Sequence, residues 1–363
     1  MTTPSRSALR SRGKALDLEE RARRLVELAR TRKRALVLTH DNPDPDGIAS
    51  ALALAHILEE KAGLESTLAY GGLVGRAENR ALMRVLKLPF VRMHRVSLDD
   101  HDLVCMVDTQ PEARNHSLPD DRFPDVIIDH HPERPASRRA AVAEVGGVYG
   151  ATATILATYL RVLGVEPTRE VATALFYGIK ADTRDLGRET MPADVDAYVW
   201  LFPYTDKEAL ARIEHPRLPP EYFRLFHRAL ERAVVHGNAV WCDLGTIYSP
   251  DMVAEVAERH LSLEGIKWSL ALATHDGHLF LSLRTHDRRM NAGKLIRDVV
   301  AEYGGSAGGH GQMAGARLPV AEMGEEAISR LKRELRDRFL REWGVEDSAP
   351  VPMLEYGLES RER

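Results

Sequence analysis

The feature that most constrains this chain is a repeated juxtaposition: a short apolar run followed at once by carboxylates and imidazoles. Residues 35–39 (ALVLT) run into His40 and then into DNPDPDG, which carries Asp44 and Asp46. Residues 103–107 (LVCMV) run into Asp108, and residues 125–128 (DVII) run into Asp129, His130 and His131. Residues 171–181 form a further apolar run that ends at Asp182. One acid after a strand is ordinarily a cap or a turn former, and a lone DPD is ordinarily a solvated loop. Four such clusters within one domain call for a different account.

The segments between the clusters supply the scaffold. IASALALAHILEEKAG has a helical pattern and stops at Gly63, a C-cap signal. LESTLAY reads as the next strand, and residues 151–163 read as a helix. Short apolar strands alternating with helices indicate a parallel α/β sheet. Such sheets bind ligands outside the carboxyl ends of their strands, so clusters far apart in sequence are expected to converge on one edge. Pro43 and Pro45 keep the first loop from becoming helix, and Gly47 permits a tight turn into the helix that follows.

The donors in these clusters are oxygen and nitrogen only. Asp44, Asp46, Asp108 and Asp182 supply carboxylates, His40 and His130 supply imidazoles, and Asp129 and His131 stand beside them. A hard set without thiolate suits manganese or magnesium, with cobalt or zinc as substitutes in vitro. Six protein ligands crowd a single catalytic ion that must keep water positions open. Two divalent cations sharing a bridging carboxylate fit better, and such a pair serves phosphate ester hydrolysis.

Charge and cysteine usage bound the setting. A formal net charge of -4 over 363 residues means that a polyanionic partner must be met by a local basic patch or by metal ions. Cys105 and Cys242 both lie in apolar runs and read as reduced core thiols of a cytoplasmic protein. No stretch reaches the roughly 18 apolar residues of a membrane helix, and the N-terminus lacks an apolar signal region. Asp17, Glu19, Glu20 and Glu27 argue against a transit peptide. Leu16, Leu18, Leu25, Val26 and Leu28 suggest a surface helix instead, and Arg6, Arg10, Arg12, Lys14, Arg21, Arg23 and Arg24 read either as its solvated face or as a contact for nucleic acid.

Residues 205–236 read as helical connectors interrupted by HPRLPPE at 215–221, which places a domain boundary within 200–240. A second α/β unit follows, with strands expected at 239–248, 268–275 and 278–285 and helices near 251–262, 291–303 and 321–343. The polar residues after 345 read as a loose tail. Residues 304–315 (GGSAGGHGQMAG) read as a glycine-rich loop whose N–H groups could cradle an anion, with His310 as its ionisable side chain. Upstream, LFLSLRTH places Arg284 near a strand end, where a guanidinium can clamp a phosphate.

HDNPDPDG, VDTQP, IDHHP and GIKADT, in this order, resemble the four motifs of the DHH phosphoesterase superfamily, which is named for the triplet present here as Asp129-His130-His131. Arg284 followed by GGHGQMAG resembles the DHH-associated C-terminal domain, also found in RecJ-type exonucleases, nano-RNases and alanyl-tRNA synthetases. The fold this implies is α/β. A helical extension (1–34) precedes a parallel-sheet DHH domain with helices on both faces (35–200). A helical linker (201–237), a smaller α/β DHH-associated domain (238–345) and a flexible tail (346–363) follow.

The resemblance also implies roles. His40, Asp44 and Asp108 would hold one ion; Asp46, Asp108, His130 and Asp182 would hold the other, with Asp108 as the bridge. Asp129 would orient the histidines, His131 would lie close to the phosphate, and Arg284, Gly308, Gly309 and His310 would bind substrate across an interdomain cleft. The metal would be manganese, with magnesium or cobalt as alternatives. Length and arrangement are most similar to the nano-RNase type, which cleaves oligonucleotides of a few residues and in many cases dephosphorylates 3′-phosphoadenosine 5′-phosphate. A RecJ-type exonuclease would carry an added nucleic-acid-binding domain, and the acidic net charge disfavours a long polyanion. The expected partners are short oligonucleotides or nucleotide phosphates and no membrane; a homodimer is compatible. The alternatives are a pyrophosphatase, a phosphodiesterase acting on cyclic dinucleotides, or a non-catalytic nucleic-acid-binding scaffold.

Overall fold

The computed structural model describes residues 6–357 apart from Arg288, and of residues 6–17 and His310 the backbone alone. It divides into two compact units, residues 1–216 and 217–363.

In the first unit, helix α1 (Arg6–Ala29) leads to strand β1 (Arg34–Leu38), α2 (Pro45–Ala62), β2 (Glu65–Tyr70), α3 (Ala77–Val85), β3 (Phe90–Arg92), β4 (Leu103–Val107), β5 (Val126–Asp129) and β6 (Val142–Val145). Helices α4 (Thr152–Leu163), α5 (Arg169–Asp182), α6 (Pro192–Leu201) and α7 (Lys207–Glu214) complete it. The six strands form one parallel sheet in the order β3-β2-β1-β4-β5-β6. Central strand β4 is apolar throughout because both faces are covered: all five of its residues are buried. Alternate side chains feed two cores. Ala35, Val37, Leu103, Cys105 and Val107 pack with residues of α1, α2, α4 and α5. Leu36, Leu38, Val104 and Met106 point the other way, onto Met93 and Leu118 in short helical turns and loops.

Local sequence accounts for most boundaries. Asp44 caps α2 by accepting from the N–H groups of Asp46 (3.0 Å) and Gly47 (3.1 Å), Pro45 takes the first helical position, and Gly63 ends the helix at φ 61°. The N-terminal helix is less superficial than expected. Leu18, Ala22, Leu25 and Ala29 are buried in the main core, and Arg21 pairs with Glu144 at 2.9 Å. Val26 is buried and Leu28 partly buried against that core, whereas the side chains of Arg6, Arg10, Arg12, Lys14 and Leu16 lie outside the described residues.

The run at 171–181 is a helix, not a strand. Thr168 caps it by accepting from the Val171 N–H at 3.2 Å, and both of its sides are packed, which erases the polar stripe that betrays a helix in sequence. Gly178 lets it press close: a Cβ there would lie 3.1 Å from the Pro45 carbonyl and 3.3 Å from the Ala153 Cβ.

The second unit begins with α8 (Pro220–Arg232) and continues through β7 (Ala233–His236), β8 (Ala239–Thr246), α9 (Asp251–Leu261), β9 (Trp268–His275), β10 (His278–Thr285), α10 (Ala292–Val300), β11 (Ser306–His310), β12 (Met313–Pro319), α11 (Glu325–Trp343) and β13 (Pro350–Pro352). The stretch read as a linker is therefore divided: α7 packs in the first unit, while α8 and β7 belong to the second. The mixed sheet runs β11-β12-β10-β9-β8-β7-β13. The tail read as loose contributes β13, paired with β7 through Val351 and Val235. Residues 358–363 lie outside the described residues.

The glycine-rich stretch is a hairpin rather than a loop. Gly309 sits at φ 149°, and a Cβ at Gly293 on α10 would fall 2.0 Å from the Gly309 carbonyl oxygen, so helix and strand touch backbone to backbone. Among the described residues no helix is long and apolar enough to cross a membrane.

Candidate metal centre

The sheet order places β1 beside β4 and β4 beside β5, so the segments leaving their carboxyl ends are neighbours. His40 and Asp44 come from the turn after β1 and Asp46 from the first turn of α2, Asp108 directly follows β4, and Asp129 ends β5 with His130 and His131 behind it. Asp182 arrives on the last turn of α5, from a helix and not from a strand end. All eight sequence-predicted residues of the first unit thus meet at one place.

Asp108 stands at the middle. It is 4% exposed and sits at φ 57°, in the left-handed region that Asp tolerates better than most residues. Its Oδ2 lies 3.5 Å from His40 Nε2, and its Oδ1 lies 3.8 Å from His130 Nε2 and 3.6 Å from His131 Nδ1. His40 Nε2 is also 3.8 Å from Asp44 Oδ1, and His130 Nε2 is 3.3 Å from Asp182 Oδ2. Among the described residues three groups have donor atoms within 4.8 Å of one another: His40, Asp44 and Asp108; Asp46, His130 and Asp182; and Asp108, His130 and His131. Each could hold an ion.

Gly47 serves space, not the tight turn expected of it. A Cβ at this position would stand 3.3 Å from Asp108 Oδ2 and 3.4 Å from His40 Nε2. Asp46 is held by the start of α4: Thr152 N–H donates to its Oδ2 and Ala153 N–H to its Oδ1, each at 2.7 Å. Asp129 acts on His131, accepting from its N–H at 3.1 Å and bonding Nδ1 at 2.8 Å through Oδ1, while Oδ2 accepts from Gln110 Nε2 at 2.7 Å.

The electrostatics report crowding of like charge. Burial, then the carboxylates of Asp108, Asp182 and Asp44, pushes the Asp46 carboxyl well above its usual range. Burial and Asp44 push Asp182 up to about 7. Against the cost of burial, bonds to Asp108 and Asp44 raise the His40 imidazole, and His40 holds Asp44 well below the ordinary carboxylate range. Burial opposes ionisation of His131 as well, but Asp129 and the nearby carboxylates raise it to about 9. Buried carboxylates that repel one another, all hard oxygen donors, are what a divalent cation would neutralise.

Four residues of the site carry no signal of their own in the sequence. Thr152 and Asp194 lie in or between helices and resemble ordinary core or cap residues. Gln110 reads as a loop residue, although its Oε1 accepts from Arg134 N–H at 2.7 Å and Ser137 Oγ at 2.9 Å, fixing the segment that follows the DHH triplet. Arg188 donates through Nη2 to the Asp182 carbonyl at 2.9 Å and lies 3.7 Å from Asp182 Oδ1.

The predicted substrate residues lie in the second unit. Arg284 is half-buried on β10 and donates through Nη1 to the carbonyls of Leu283 (2.9 Å) and Ala314 (3.3 Å). Met313 pairs with both Arg284 and His310, so residues 284 and 310 occupy one row across three strands. Gly308 and Gly309 pair with Gly315 and Ala314. The side chain of His310 lies outside the described residues.

Comparison with known proteins matches residues 34–179 to the DHH family N-terminal domain and residues 236–337 to the DHHA1 domain. An uncharacterized protein of Methanocaldococcus jannaschii is 36% identical over 342 residues, covering 91% of this chain and 69% of that protein. The bifunctional oligoribonuclease and PAP phosphatase NrnA of Thermus thermophilus is 26% identical over 313 residues, covering 84% and 90%. In fold, the chain is similar to an exopolyphosphatase-related protein from Bacteroides fragilis (TM-score 0.69, 16% identity, 88% of this chain and 97% of that one). It is also similar to RecJ from Thermus thermophilus in complex with Mn2+ (TM-score 0.56, 17% identity, 89% and 55%). With its motif residues gathered at one sheet edge and both family domains in place, the chain belongs to the DHH phosphoesterase superfamily and is a phosphoester hydrolase of the DHH-DHHA1 type.

Proposed function

We propose that this protein hydrolyses short oligonucleotides, 3′-phosphoadenosine 5′-phosphate or both at a two-cation centre. The observation that carries the reading is the division of labour at Asp108, whose Oδ2 faces His40 and whose Oδ1 faces His130. His40, Asp44 and Asp108 would hold one ion; Asp46, Asp108, His130 and Asp182 would hold the other. Manganese is the proposed metal, with magnesium or cobalt as substitutes, and the donor set of carboxylates and imidazoles supports it. Bound there, such a pair supplies a hydroxide near neutral pH and offsets charge on the phosphate oxygens.

The chain's own residues do the remainder. His131 would offer a hydrogen-bond donor to a phosphoryl oxygen. Asp129 holds Nδ1 and so directs the ring to act through Nε2. Arg284, with Gly308, Gly309 and His310 on β11 beyond the intervening β12, would hold the substrate's phosphate or an adjacent group.

Similarity to NrnA over most of both chains supports short substrates, and the net charge of -4 accords with a ligand that needs few phosphate contacts. The test is a substrate panel in manganese: two- to five-residue RNA and DNA, long single strands, 3′-phosphoadenosine 5′-phosphate, pyrophosphate and cyclic dinucleotides. Turnover of the short oligonucleotides or of 3′-phosphoadenosine 5′-phosphate, well above the rest, is expected. Turnover confined to pyrophosphate or cyclic dinucleotides would overturn the proposal.

A further inference from the structure

Thr152 is fully buried at the first position of α4, and it touches three of the proposed metal ligands at once. Its N–H donates to Asp46 Oδ2 at 2.7 Å, its hydroxyl donates to Asp108 Oδ1 at 3.0 Å, and the same hydroxyl accepts from the His130 N–H at 3.2 Å. A hydroxyl can donate and accept together, which neither an apolar nor a carboxylate side chain of this size can do. Helix capping does not account for it. The N-cap is Ala151, which makes no side-chain cap bond, and the Thr152 hydroxyl turns away from its own helix toward strands β4 and β5.

The segment that carries Thr152 is itself clamped. Asp194, fully buried, accepts from Gly150 N–H at 2.8 Å, Thr154 Oγ1 at 2.6 Å and Met191 N–H at 2.7 Å, so the start of α4 cannot slide without breaking that set.

The torsion that turns an aspartate carboxylate is broad, so nothing intrinsic to Asp108 decides which oxygen faces which way. A fixed donor on one oxygen decides it. We propose that Thr152 is a positioning residue of the metal centre: its hydroxyl locks the Asp108 carboxylate so that Oδ1 serves the ion beside His130 and Oδ2 the ion beside His40. Thr152 touches no substrate in this role and acts through Asp108. The assignment rests on the two-cation reading above.

The test uses the full chain stripped of metal, titrated calorimetrically with Mn2+ alone, for wild type and Thr152→Ser, Thr152→Ala and Thr152→Val. Serine and alanine both lack the γ-methyl, so loss of packing is common to them and only the hydroxyl differs; helicity by circular dichroism checks the fold. Wild type and Thr152→Ser should each take up two ions, with affinities within about threefold of each other. Thr152→Ala and Thr152→Val should bind the second ion on the order of 10- to 100-fold more weakly. Their turnover should fall at low Mn2+ and recover as Mn2+ is raised. Two ions bound equally well by the serine and alanine variants would overturn the role of Thr152 and leave the two-cation centre standing. Fewer than two ions in wild type would overturn that centre, and the Thr152 role with it.

Discussion

Asp108 occupies a left-handed backbone position directly after a buried strand, and both of its oxygens face imidazoles from other segments. Local strain of this kind persists where surrounding structure over-determines it. If both cations depend on this one carboxylate, Asp108→Ala should lower kcat/KM by about a thousandfold or more, equivalent to roughly 4 kcal/mol of transition-state stabilisation. Steady-state kinetics on a dinucleotide would check this, and near-normal turnover would remove Asp108 from the bridge. Asp182 yields a second expectation. Held up to about 7 in the metal-free protein, it keeps a proton at pH 6 that a bound cation must displace. Mn2+ uptake should therefore release more protons at pH 6.0 than at pH 8.5. Titration calorimetry in buffers of different ionisation enthalpy reads that number directly; equal release at both pH values would contradict it.

Among the elements, α9 carries a buried imidazole. His260 is 2% exposed, neither ring nitrogen has a hydrogen-bond partner among the described residues, and burial pushes its pKa down to about 4. The folded state thus prefers the neutral ring, whereas the unfolded chain takes up a proton near 6.5. Stability is complete above 6.5 and is lost as pH falls from there toward 4. Relative to His260→Leu, wild type should lose about 2 kcal/mol between pH 7.5 and 5.0. Trp241, Trp268 and Trp343 report on this unit in urea unfolding followed by fluorescence. A constant gap between the two proteins across that range would mean that His260 is solvated.

Element types were legible where pattern and punctuation agree. The Asp44-Pro45 start and Gly63 stop of α2 are local signals, as are the all-apolar β4 and the strand pair β9 and β10. Helix α5 was not readable as a helix, because neighbours on several sides make it apolar all round. Neither was β11, whose glycines read as a loop until α10 is seen lying against Gly309.

At the scale of the molecule, the proposed metal ligands all belong to the first unit and Arg284 to the second. Metal binding and substrate binding should therefore separate on mutation. Arg284→Ala should raise KM for short substrates by about tenfold or more, the equivalent of one charge-assisted hydrogen bond, while Mn2+ stoichiometry stays at the wild-type value. Loss of an ion in that variant would show that Arg284 supports the metal centre instead.

The chain's local chemistry determined the proposed donor residues, the strands that precede most of them, and the family to which the motifs belong. These follow from neighbours within a few positions: apolar runs, proline stops, cap residues and the triplet Asp129-His130-His131. Tertiary structure alone decided that Asp182 comes from a helix, that Gly47 is a matter of room around Asp108 and His40, and that Thr152 ties Asp46, Asp108 and His130 together. The reason is distance along the chain. Thr152 is separated from Asp46 by 106 residues and from Asp108 by 44, and only the sheet order, with α4 laid against it, brings those atoms within a hydrogen bond.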